Sequence, residues 1–495
     1  MAAFLAVLFA FTFFSNTAFA DDLEDARQLR MGITVQTNEI ADWPQGPAIG
    51  AEAAILMEAK TGAILYAKNI DEKLYPASTT KIMTGLLAYE NAKLDDEVVF
   101  SYDAVHSVAR GDSNIGMDAG EMIPMNKALE GMMILSANEV ANGIAETVGG
   151  TMDGFVQMMN DKAAEIGCTN THFTNPNGLH DENHYTTCRD LALIAKYYFS
   201  YDYLAGLSRE PSCEFEATPT QKDSFKLNTK NMLVKGKKYE YEYLLGSKTG
   251  YTSEARQTLV SAAKKDGMEL ICVIMKEESP YQFEDTVALF QYGFENFKRV
   301  NIADNQQEES FLNAGFFGVG QDIFGSNKSI LNVDPTAFVI LPKNGDFAEV
   351  EYDLSYQETG KNSKIAKVAY TFHGNLVGVA ALNMNAEDAT LFEQFAKEEE
   401  ITDTETAGNS SGTEAASEEG TEESSEDAPK KPTTNVNNNG IFINVKRVLI
   451  GLGAIAAVSV LGFSVYGFIK DRKAKKRRRN IVKRSRNRRR GDDFK

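Results

Sequence analysis

Cysteine is scarce in this chain, with four residues among 495. Their number is even but their spacing is irregular, and a chain of this length can bury enough surface to fold without covalent cross-links. The sequence therefore excludes a small scaffold held together by disulfides. It leaves both disulfides and buried free thiols open for Cys168, Cys188, Cys213 and Cys272.

Histidine is scarce as well, with five residues in the whole chain. His180 and His184 are four residues apart, the spacing at which a helix brings two zinc ligands together. Gly178 and the polar residues around it indicate a loop at this place instead of a helix. The sequence therefore predicts no metal site, and we expect no cofactor.

Positive charge is in deficit, because 51 Lys and Arg residues face 70 Asp and Glu residues, for a net charge of −19. Residues 470–495 carry fifteen basic and three acidic residues, so the rest of the chain has a net charge of −31. Such an acidic surface repels a phosphate backbone. Nucleic acid is thereby excluded as a partner of the main part of the chain.

Residues 1–20 resemble a secretory signal peptide, although Lys and Arg are missing before their apolar run. That run extends from Ala2 to Phe14 and leads to Ala18-Phe19-Ala20, a cleavage site of the small-x-small type. We expect a signal peptide over residues 1–20, with a retained N-terminal anchor as the alternative.

A long uncharged apolar stretch, residues 448–469, lies near the C-terminus. As a helix it would reach about 33 Å, enough to cross a bilayer. The basic residues 470–495 then form a cytoplasmic tail by the positive-inside rule. Residues 397–440 are acidic, contain no aromatic residue and are expected to form a disordered stalk. The sequence thus predicts a single-pass protein of the cell membrane with residues 21–447 outside the cell.

The chain contains three short polar motifs, Ser78-Thr79-Thr80-Lys81, Ser136-Ala137-Asn138 and Lys248-Thr249-Gly250. After Ser78 the apolar residues recur at helical spacing, so the serine and lysine of the first motif share one face. A second Ser-x-x-Lys string, Ser261-Ala262-Ala263-Lys264, lies in a strand pattern, where residues three apart point to opposite faces. Ser78 is therefore the predicted nucleophile.

The order of the elements indicates two folded domains. Strand patterns at both ends of residues 45–297 enclose a middle of helical periodicity, which predicts an α+β domain with an antiparallel sheet covered by helices. From residue 299 onward apolar and charged residues alternate, as in residues 348–356, and a hairpin turn is predicted at Gly374-Asn375. Residues 299–392 are expected to form a small all-β domain without a catalytic motif of its own.

The three motifs, in this order, resemble those of the D-alanyl-D-alanine carboxypeptidases, the low-molecular-mass penicillin-binding proteins of serine peptidase type. Residues 75–84 and 171–179 are similar to the surroundings of that family's motifs, and the resemblance extends from about residue 45 to residue 392. It departs at Ser247 and Arg256, where a bulky apolar residue and a glycine are more usual.

The resemblance implies a β-lactamase/transpeptidase-like fold for the first domain. It also implies that peptidoglycan stem peptides are the substrates and that β-lactam antibiotics are covalent inhibitors. The expected activity is removal of the terminal D-alanine from pentapeptide stems.

The catalytic roles follow from the chemistry of the side chains. Ser78 would attack the carbonyl between two D-alanines and form an acyl-enzyme. Lys81 must be an unprotonated amine to accept the proton, and burial together with the charge of Lys248 would lower its pKa. Ser136 can relay the proton to the leaving nitrogen. By resemblance, the backbone N–H groups of Ser78 and Tyr251 form the oxyanion hole.

The remaining motif residues are predicted to bind substrate. Asn138 can hydrogen-bond the peptide backbone, and Lys248 and Thr249 would hold the terminal carboxylate. Gly250 lets the strand approach the substrate closely, and Tyr251 follows it at the rim of the groove.

Three other functions remain as alternatives. A class A β-lactamase needs a deacylating Glu with Asn four residues on, and no Glu between Asn138 and Lys248 has Asn at that spacing. An endopeptidase or transpeptidase of the same fold would need room for a cross-linked peptide beside Tyr251. A non-catalytic wall-binding scaffold would keep the fold without the chemistry.

Overall fold

The structure is a computed structural model, and it describes residues 23–217, 222–305, 331–356 and 364–384. Its strands are β1 (Ala53–Glu58), β2 (Ile64–Lys68), β3 (Glu97–Val99), β4 (Met122–Pro124), β5 (Ser212–Phe215), β6 (Phe225–Asn228), β7 (Leu244–Thr252), β8 (Arg256–Lys265), β9 (Met268–Glu277), β10 (Phe297–Asn301), β11 (Leu331–Val333), β12 (Phe338–Pro342), β13 (Val350–Tyr356), β14 (Lys364–Phe372) and β15 (Asn375–Met384).

The helices lie mostly between the second and the seventh strand. They are α1 (23–31), α2 (Lys81–Asn91), α3 (Tyr102–His106), α4 (Met125–Ile134), α5 (Asn138–Gly149), α6 (Met152–Glu165), α7 (Cys188–Phe199), α8 (Asp202–Leu207), α9 (Tyr281–Asn296) and α10 (Ile302–Asn305). Short 3-10 helices cover Gln36–Glu39, Ala77–Thr80 and Phe347–Glu349.

Five antiparallel strands form the main sheet, in the order β2-β1-β9-β8-β7. Successive residues of β1 contribute to different cores, because side chains alternate between the two faces of a strand. Ile55 packs in the core shared with α2, α4 and α5, whereas Leu56 packs in the core shared with α9. The predicted α+β arrangement, an antiparallel sheet covered by helices, is confirmed.

The second Ser-x-x-Lys string lies in a strand, β8, as the sequence predicts. Ser261 is fully buried and pairs with Cys272 on β9, while Lys264 is exposed near the turn to β9. The two side chains therefore have opposite environments and do not cooperate.

A second group of strands follows α9. β10 pairs with β12, and a four-stranded sheet has the order β11-β15-β14-β13. The hairpin between β14 and β15 turns at His373-Gly374, where both residues have positive φ, and Phe372 pairs with Asn375. The predicted turn at Gly374-Asn375 is therefore wrong by one residue, because a type I′ turn needs two positive φ angles and His373 adopts the first.

The two groups of strands share apolar contacts. Trp43, which precedes the main sheet, lies against Phe297 of β10 and Phe372 of β14, with ring centroids 5.0 and 6.3 Å apart. Its indole N–H donates to the carbonyl of Leu65 at 3.0 Å. The first strand of the second group begins at Phe297, directly after α9 ends at Asn296.

All four cysteines are free thiols in the structure, three of them buried. Burial raises the pKa of Cys168 and of Cys213 to about 12, so these thiols are protonated at neutral pH. Of the two possibilities that the sequence leaves open, the structure has the free thiols.

Four predicted segments lie outside the described residues: the signal peptide 1–20, the stalk 397–440, the membrane span 448–469 and the tail 470–495. Within the described ranges, none of the helices has the length and apolar character needed to cross a membrane.

Candidate active site

Ser78 lies in the 3-10 helix Ala77–Thr80, which continues directly into α2. The carbonyl oxygen of Pro76 accepts from Thr79 Oγ1 at 2.6 Å and from Thr258 Oγ1 at 2.9 Å. Thr258 belongs to β8, so this bond ties the start of the helix to the main sheet. Ser78 itself is half-buried, while the residues on both sides of it are buried.

The side chain of Lys81 reaches Ser78 as its spacing predicts. Its Nζ lies 3.1 Å from Ser78 Oγ, 2.6 Å from Asn138 Oδ1 and 2.5 Å from the carbonyl oxygen of Asn177. Lys81 is completely buried. The first two motifs are thus joined through one amine.

Burial is the main cause that lowers the pKa of Lys81 well below its usual 10.5, and the positive charge of Lys248 is the next. Glu139 and Asp112 act in the opposite direction. A buried amine is driven toward its neutral form, since the charged form loses its hydration. The environment of Lys81 therefore favours the neutral amine that a general base requires.

Ser136 lies in the break between α4 and α5. Its backbone has φ of 66°, a left-handed conformation that ends α4 and turns the chain into α5. Lys248 Nζ donates to Ser136 Oγ at 2.9 Å and to the carbonyl of Thr249 at 2.8 Å. The second and third motifs are thus joined by a second lysine–serine pair.

Lys248 is 2% exposed, and burial followed by the charge of Lys230 lowers its pKa to about 7. The chain thus places two buried amines beside two half-buried hydroxyls. Each amine has a serine hydroxyl within hydrogen-bond distance.

Position 250 needs a glycine because β7 lies against the turn that carries Ser78. A Cβ atom at this position would lie 2.9 Å from the backbone N of Ser78 and 3.0 Å from the oxygen of Pro76. The close approach therefore involves β7 and the nucleophile's own backbone, in addition to any approach to substrate. On the same strand Thr249 is half-buried and Tyr251 is 54% exposed.

The loop that supplies the Asn177 carbonyl to Lys81 is a part of the site that sequence reasoning missed. Asn177 is buried, and its Nδ2 donates to Asn142 Oδ1 at 2.9 Å. The Pro176 carbonyl accepts from Thr84 Oγ1 at 2.6 Å, which ties the loop to α2. The signal is the Asn-Pro-Asn-Gly string at residues 175–178, inside the stretch 171–179 that resembles the surroundings of the family's motifs, although no role in the site is predicted for it from the sequence.

His184 closes the same loop onto α2. Its Nδ1 accepts from the backbone N–H of Thr174 at 3.0 Å, so the proton is on Nε2, which lies 2.8 Å from Thr80 Oγ1. Burial lowers the pKa of His184 to about 3, so the ring is neutral. His184 is thus a structural residue of the site, and it lies in a loop as the sequence predicts.

Glu139 is a second functional residue that sequence reasoning missed. Its Oε1 accepts from the backbone N–H groups of Ile115 at 2.6 Å and Gly116 at 3.2 Å. The adjacent Asn138 donates its own backbone N–H to the carbonyl of Ser113 at 2.8 Å. The loop before α4 is thereby held against the second motif.

The rim of the site contains the two departures noted in the sequence. Arg256 has φ of 54°, in the region where glycine is usual, and its guanidinium binds both oxygens of Glu278 at 2.6–3.2 Å. That guanidinium also lies 5.9 Å from the ring centroid of Tyr251. Ser247 is buried and accepts a hydrogen bond from Asn231 Nδ2.

Comparison with known proteins gives a consistent result. The sequence model described as D-alanyl-D-alanine carboxypeptidase matches residues 40–279. The chain is 37% identical over 235 residues to D-alanyl-D-alanine carboxypeptidase DacF of Bacillus subtilis. The aligned residues make up 46% of this chain and 58% of DacF. It is 31% identical over 257 residues to DacB2 of Mycobacterium tuberculosis, 51% of this chain and 84% of that protein.

A solved structure, that of penicillin binding protein 5 from Haemophilus influenzae, is similar over 69% of this chain and 98% of its own, with 26% identity and a TM-score of 0.54. The fold is thus that of the penicillin-binding proteins. The chain belongs to the D-alanyl-D-alanine carboxypeptidase family of serine peptidases.

Proposed function

We propose that this protein is a serine-type D-alanyl-D-alanine carboxypeptidase that removes the terminal D-alanine of peptidoglycan pentapeptide stems through an acyl-enzyme on Ser78. The observation that carries the proposal is the contact of 3.1 Å between the Ser78 hydroxyl and the buried amine of Lys81. A neutral amine at this distance can accept the hydroxyl proton while the oxygen attacks a carbonyl carbon.

In acylation the Ser78 oxygen adds to the carbonyl between the two D-alanines, and its proton passes to Lys81. The negative charge that develops on the carbonyl oxygen needs two preorganised donors, for which the backbone N–H groups of Ser78 and Tyr251 are proposed. The close packing of Gly250 on the Ser78 backbone supports this role, because it sets the two donors on adjoining segments.

Expulsion of D-alanine requires a proton at its nitrogen. Ser136 is proposed to relay it: its half-buried hydroxyl gives its own proton to the nitrogen and regains one from Lys81, so that Lys81 returns to the neutral amine, while Lys248 holds this hydroxyl through a hydrogen bond. Water then attacks the ester carbon, and the same Ser78–Lys81 pair accepts and returns the proton in the reverse sense.

Substrate binding is proposed for the rest of the motif residues. Lys248 and Thr249 would receive the terminal carboxylate, and an anion beside Lys248 raises the pKa of this amine from about 7 and so restores its charge. Asn138 accepts from Lys81 through Oδ1, which leaves its amide Nδ2 to donate to a carbonyl of the stem peptide.

β-Lactam antibiotics are proposed as covalent inhibitors that acylate the same serine. The buried carboxylate beside Lys81, Glu139, accepts from backbone N–H groups of residues 115 and 116. Its Oε1 thus holds a loop, and no Asn stands four residues after it as a deacylating Glu of the class A β-lactamase pattern requires, so we assign it no part in activating water. Penicillin turnover should accordingly be slow.

We further propose that the enzyme works outside the cell on a membrane anchor. The proposal rests on the sequence alone: a signal peptide over residues 1–20, a stalk over 397–440, a span over 448–469 and a basic cytoplasmic tail over 470–495. The two predicted domains, residues 45–297 and 299–392, would then be held off the membrane by the stalk.

The test is covalent labelling of the full-length chain with a fluorescent penicillin, together with release of D-alanine from a pentapeptide. Ser78→Ala and Lys81→Ala should abolish both signals. Ser261→Ala and Lys264→Ala are matched controls, because they change the same residue types at the same spacing in β8. Labelling that survives in Ser78→Ala, or cleavage of cross-linked peptides without release of D-alanine from pentapeptide, would overturn the proposal.

A further inference from the structure

Asp42, Glu349 and His373 form a cluster of potential metal ligands outside the active site. Their ligand atoms lie within 4.8 Å of one another. His373 Nε2 is 3.3 Å from a carboxylate oxygen of Glu349, and Nδ1 is 3.8 Å from one of Asp42. Among the described residues, this is the group of three that satisfies the distances a single ion needs.

The pairing of β13 with β14 brings two of the three residues together. Val350 lies opposite Phe372 in the antiparallel ladder. Glu349 and His373 are the next residues outward from this pair, one before β13 and one in the turn after β14. Their separation is thus set by strand register, which the rest of the ladder holds in place.

Core packing brings the third residue to the same place. Asp42 is followed by Trp43, whose buried ring lies 6.3 Å from the ring of Phe372. Phe372 in turn precedes His373. The segment before the main sheet is therefore fixed beside the hairpin turn by two buried aromatic residues.

The ring of His373 is oriented as a metal-binding imidazole is. Its Nδ1 lies 2.8 Å from the carbonyl oxygen of Ala41, and since a carbonyl can only accept, Nδ1 carries the proton. Nε2, which lies 3.3 Å from a carboxylate oxygen of Glu349, is then the ring nitrogen that can bind an ion. The ring also stacks on Phe372, with centroids 4.2 Å apart and planes 19° from parallel. A hydrogen bond from the second ring nitrogen to a carbonyl is typical of histidine ligands.

The donor set determines which ions would bind. One imidazole nitrogen and two carboxylates suit a divalent transition-metal ion at 2.0–2.2 Å, with Zn²⁺ as the type case. The carboxylates of Glu349 and Asp42 are 48% and 77% exposed, so they can rotate to close around an ion and leave room for water as a further ligand.

We propose that Asp42, Glu349 and His373 bind a divalent transition-metal cation of the Zn²⁺ class. The ion would join the segment that precedes the main sheet to the hairpin end of the four-stranded sheet. This site is independent of the peptidase chemistry, so its test does not depend on the proposed function.

The test is calorimetric titration of Zn²⁺ into the full-length chain, prepared without an affinity tag and treated with a chelator. His373→Gln and Glu349→Gln are the principal variants. His106→Gln is the matched control. The His106 ring also has its Nδ1 3.0 Å from a carbonyl oxygen and stacks on an aromatic ring, that of Tyr102. Within the described chain, however, it has no pair of carboxylates within ion-pair distance.

Wild type and His106→Gln should bind one Zn²⁺ with equal affinity and show the same rise in melting temperature. His373→Gln and Glu349→Gln should each bind at least about tenfold more weakly. A cooperative unfolding transition in the melting experiment checks that each variant is folded, and Asp42→Asn replaces any variant that is not. Absence of Zn²⁺ binding to wild type, or unchanged binding in His373→Gln, would show that the cluster is only an exposed set of ion pairs.

Discussion

Gly178 offers a sharp test of how the Lys81 loop meets the nucleophile. Its φ is 82°, and a Cβ atom there would overlap the carbonyl oxygen of Ala77 and lie 2.9 Å from Thr80 Oγ1. Both partners belong to the turn that carries Ser78. A backbone oxygen cannot rotate away as a side chain can, so Gly178→Ala must displace either this turn or the loop.

The magnitude has two parts. Alanine in the left-handed conformation costs roughly 1–2 kcal/mol. Displacement of the loop also weakens the hydrogen bonds of the Pro176 and Asn177 carbonyls, each worth about 0.5–1.5 kcal/mol. We therefore expect Gly178→Ala to lose about 2–5 kcal/mol of unfolding free energy. A misplacement near 1 Å between Lys81 and Ser78 should slow acylation by about 10²-fold.

Gly236→Ala is the matched control, because Gly236 has nearly the same φ, 79°, and a Cβ there would meet no atom within 4 Å. It should lose only the roughly 1–2 kcal/mol of the left-handed alanine and acylate at the wild-type rate. Urea denaturation and the time course of fluorescent-penicillin labelling measure the two effects. Equal losses of stability with unchanged acylation in both variants would refute the close contact.

Three further predictions concern pH and packing. Acylation should slow as the pH falls, because Lys81 acts only as the neutral amine. Lys248→Gln should move the acidic limb of the pH–rate profile to higher pH, since it removes a charge that lowers the Lys81 pKa. An acidic limb that stays in place would contradict the coupling of the two lysines. Burial, followed by the neighbouring Asp285, raises the pKa of Glu277 from 4.5 to about 8. Between these two pH values the native state holds a proton that the unfolded chain has released, so the free energy of unfolding should decline as the pH rises. Urea titrations of Glu277→Gln should lack that decline. Trp43→Ala should lose about 3–5 kcal/mol of unfolding free energy, because the buried ring packs on Phe297 and Phe372 of the second group of strands. A loss below about 1 kcal/mol would mean that this contact is not formed.

The part of the site that the sequence predicts best is the part built by local geometry. Ser78 and Lys81 are three residues apart at the start of one helix, so their contact follows once the helix is recognised. The decoy at Ser261 was excluded by the same reasoning, because a strand separates residues three apart. In both cases a short stretch of backbone decides where the two side chains point.

The part that the sequence does not predict comes from loops that close over long separations. Lys81 bonds the carbonyl of Asn177, 96 residues away, and Asn177 bonds Asn142, 35 residues away. Glu139 likewise holds a loop by accepting from the backbone at residue 115. Every residue has a backbone carbonyl, so a carbonyl acceptor leaves no mark in the sequence. A single polar residue has no periodicity, so it produces no pattern that one sequence reveals.

The two buried lysines are coupled electrostatically across the site. Burial disfavours the charge on both amines, and Lys248 has a pKa of about 7. A carboxylate placed beside Lys248 would stabilise its charged form. The positive charge of Lys248 lowers the pKa of Lys81, whereas the negative charge of a bound carboxylate acts on Lys81 in the opposite direction. Because these two charges offset each other at Lys81, burial stays the main cause that drives this amine toward its neutral form, with or without a bound carboxylate.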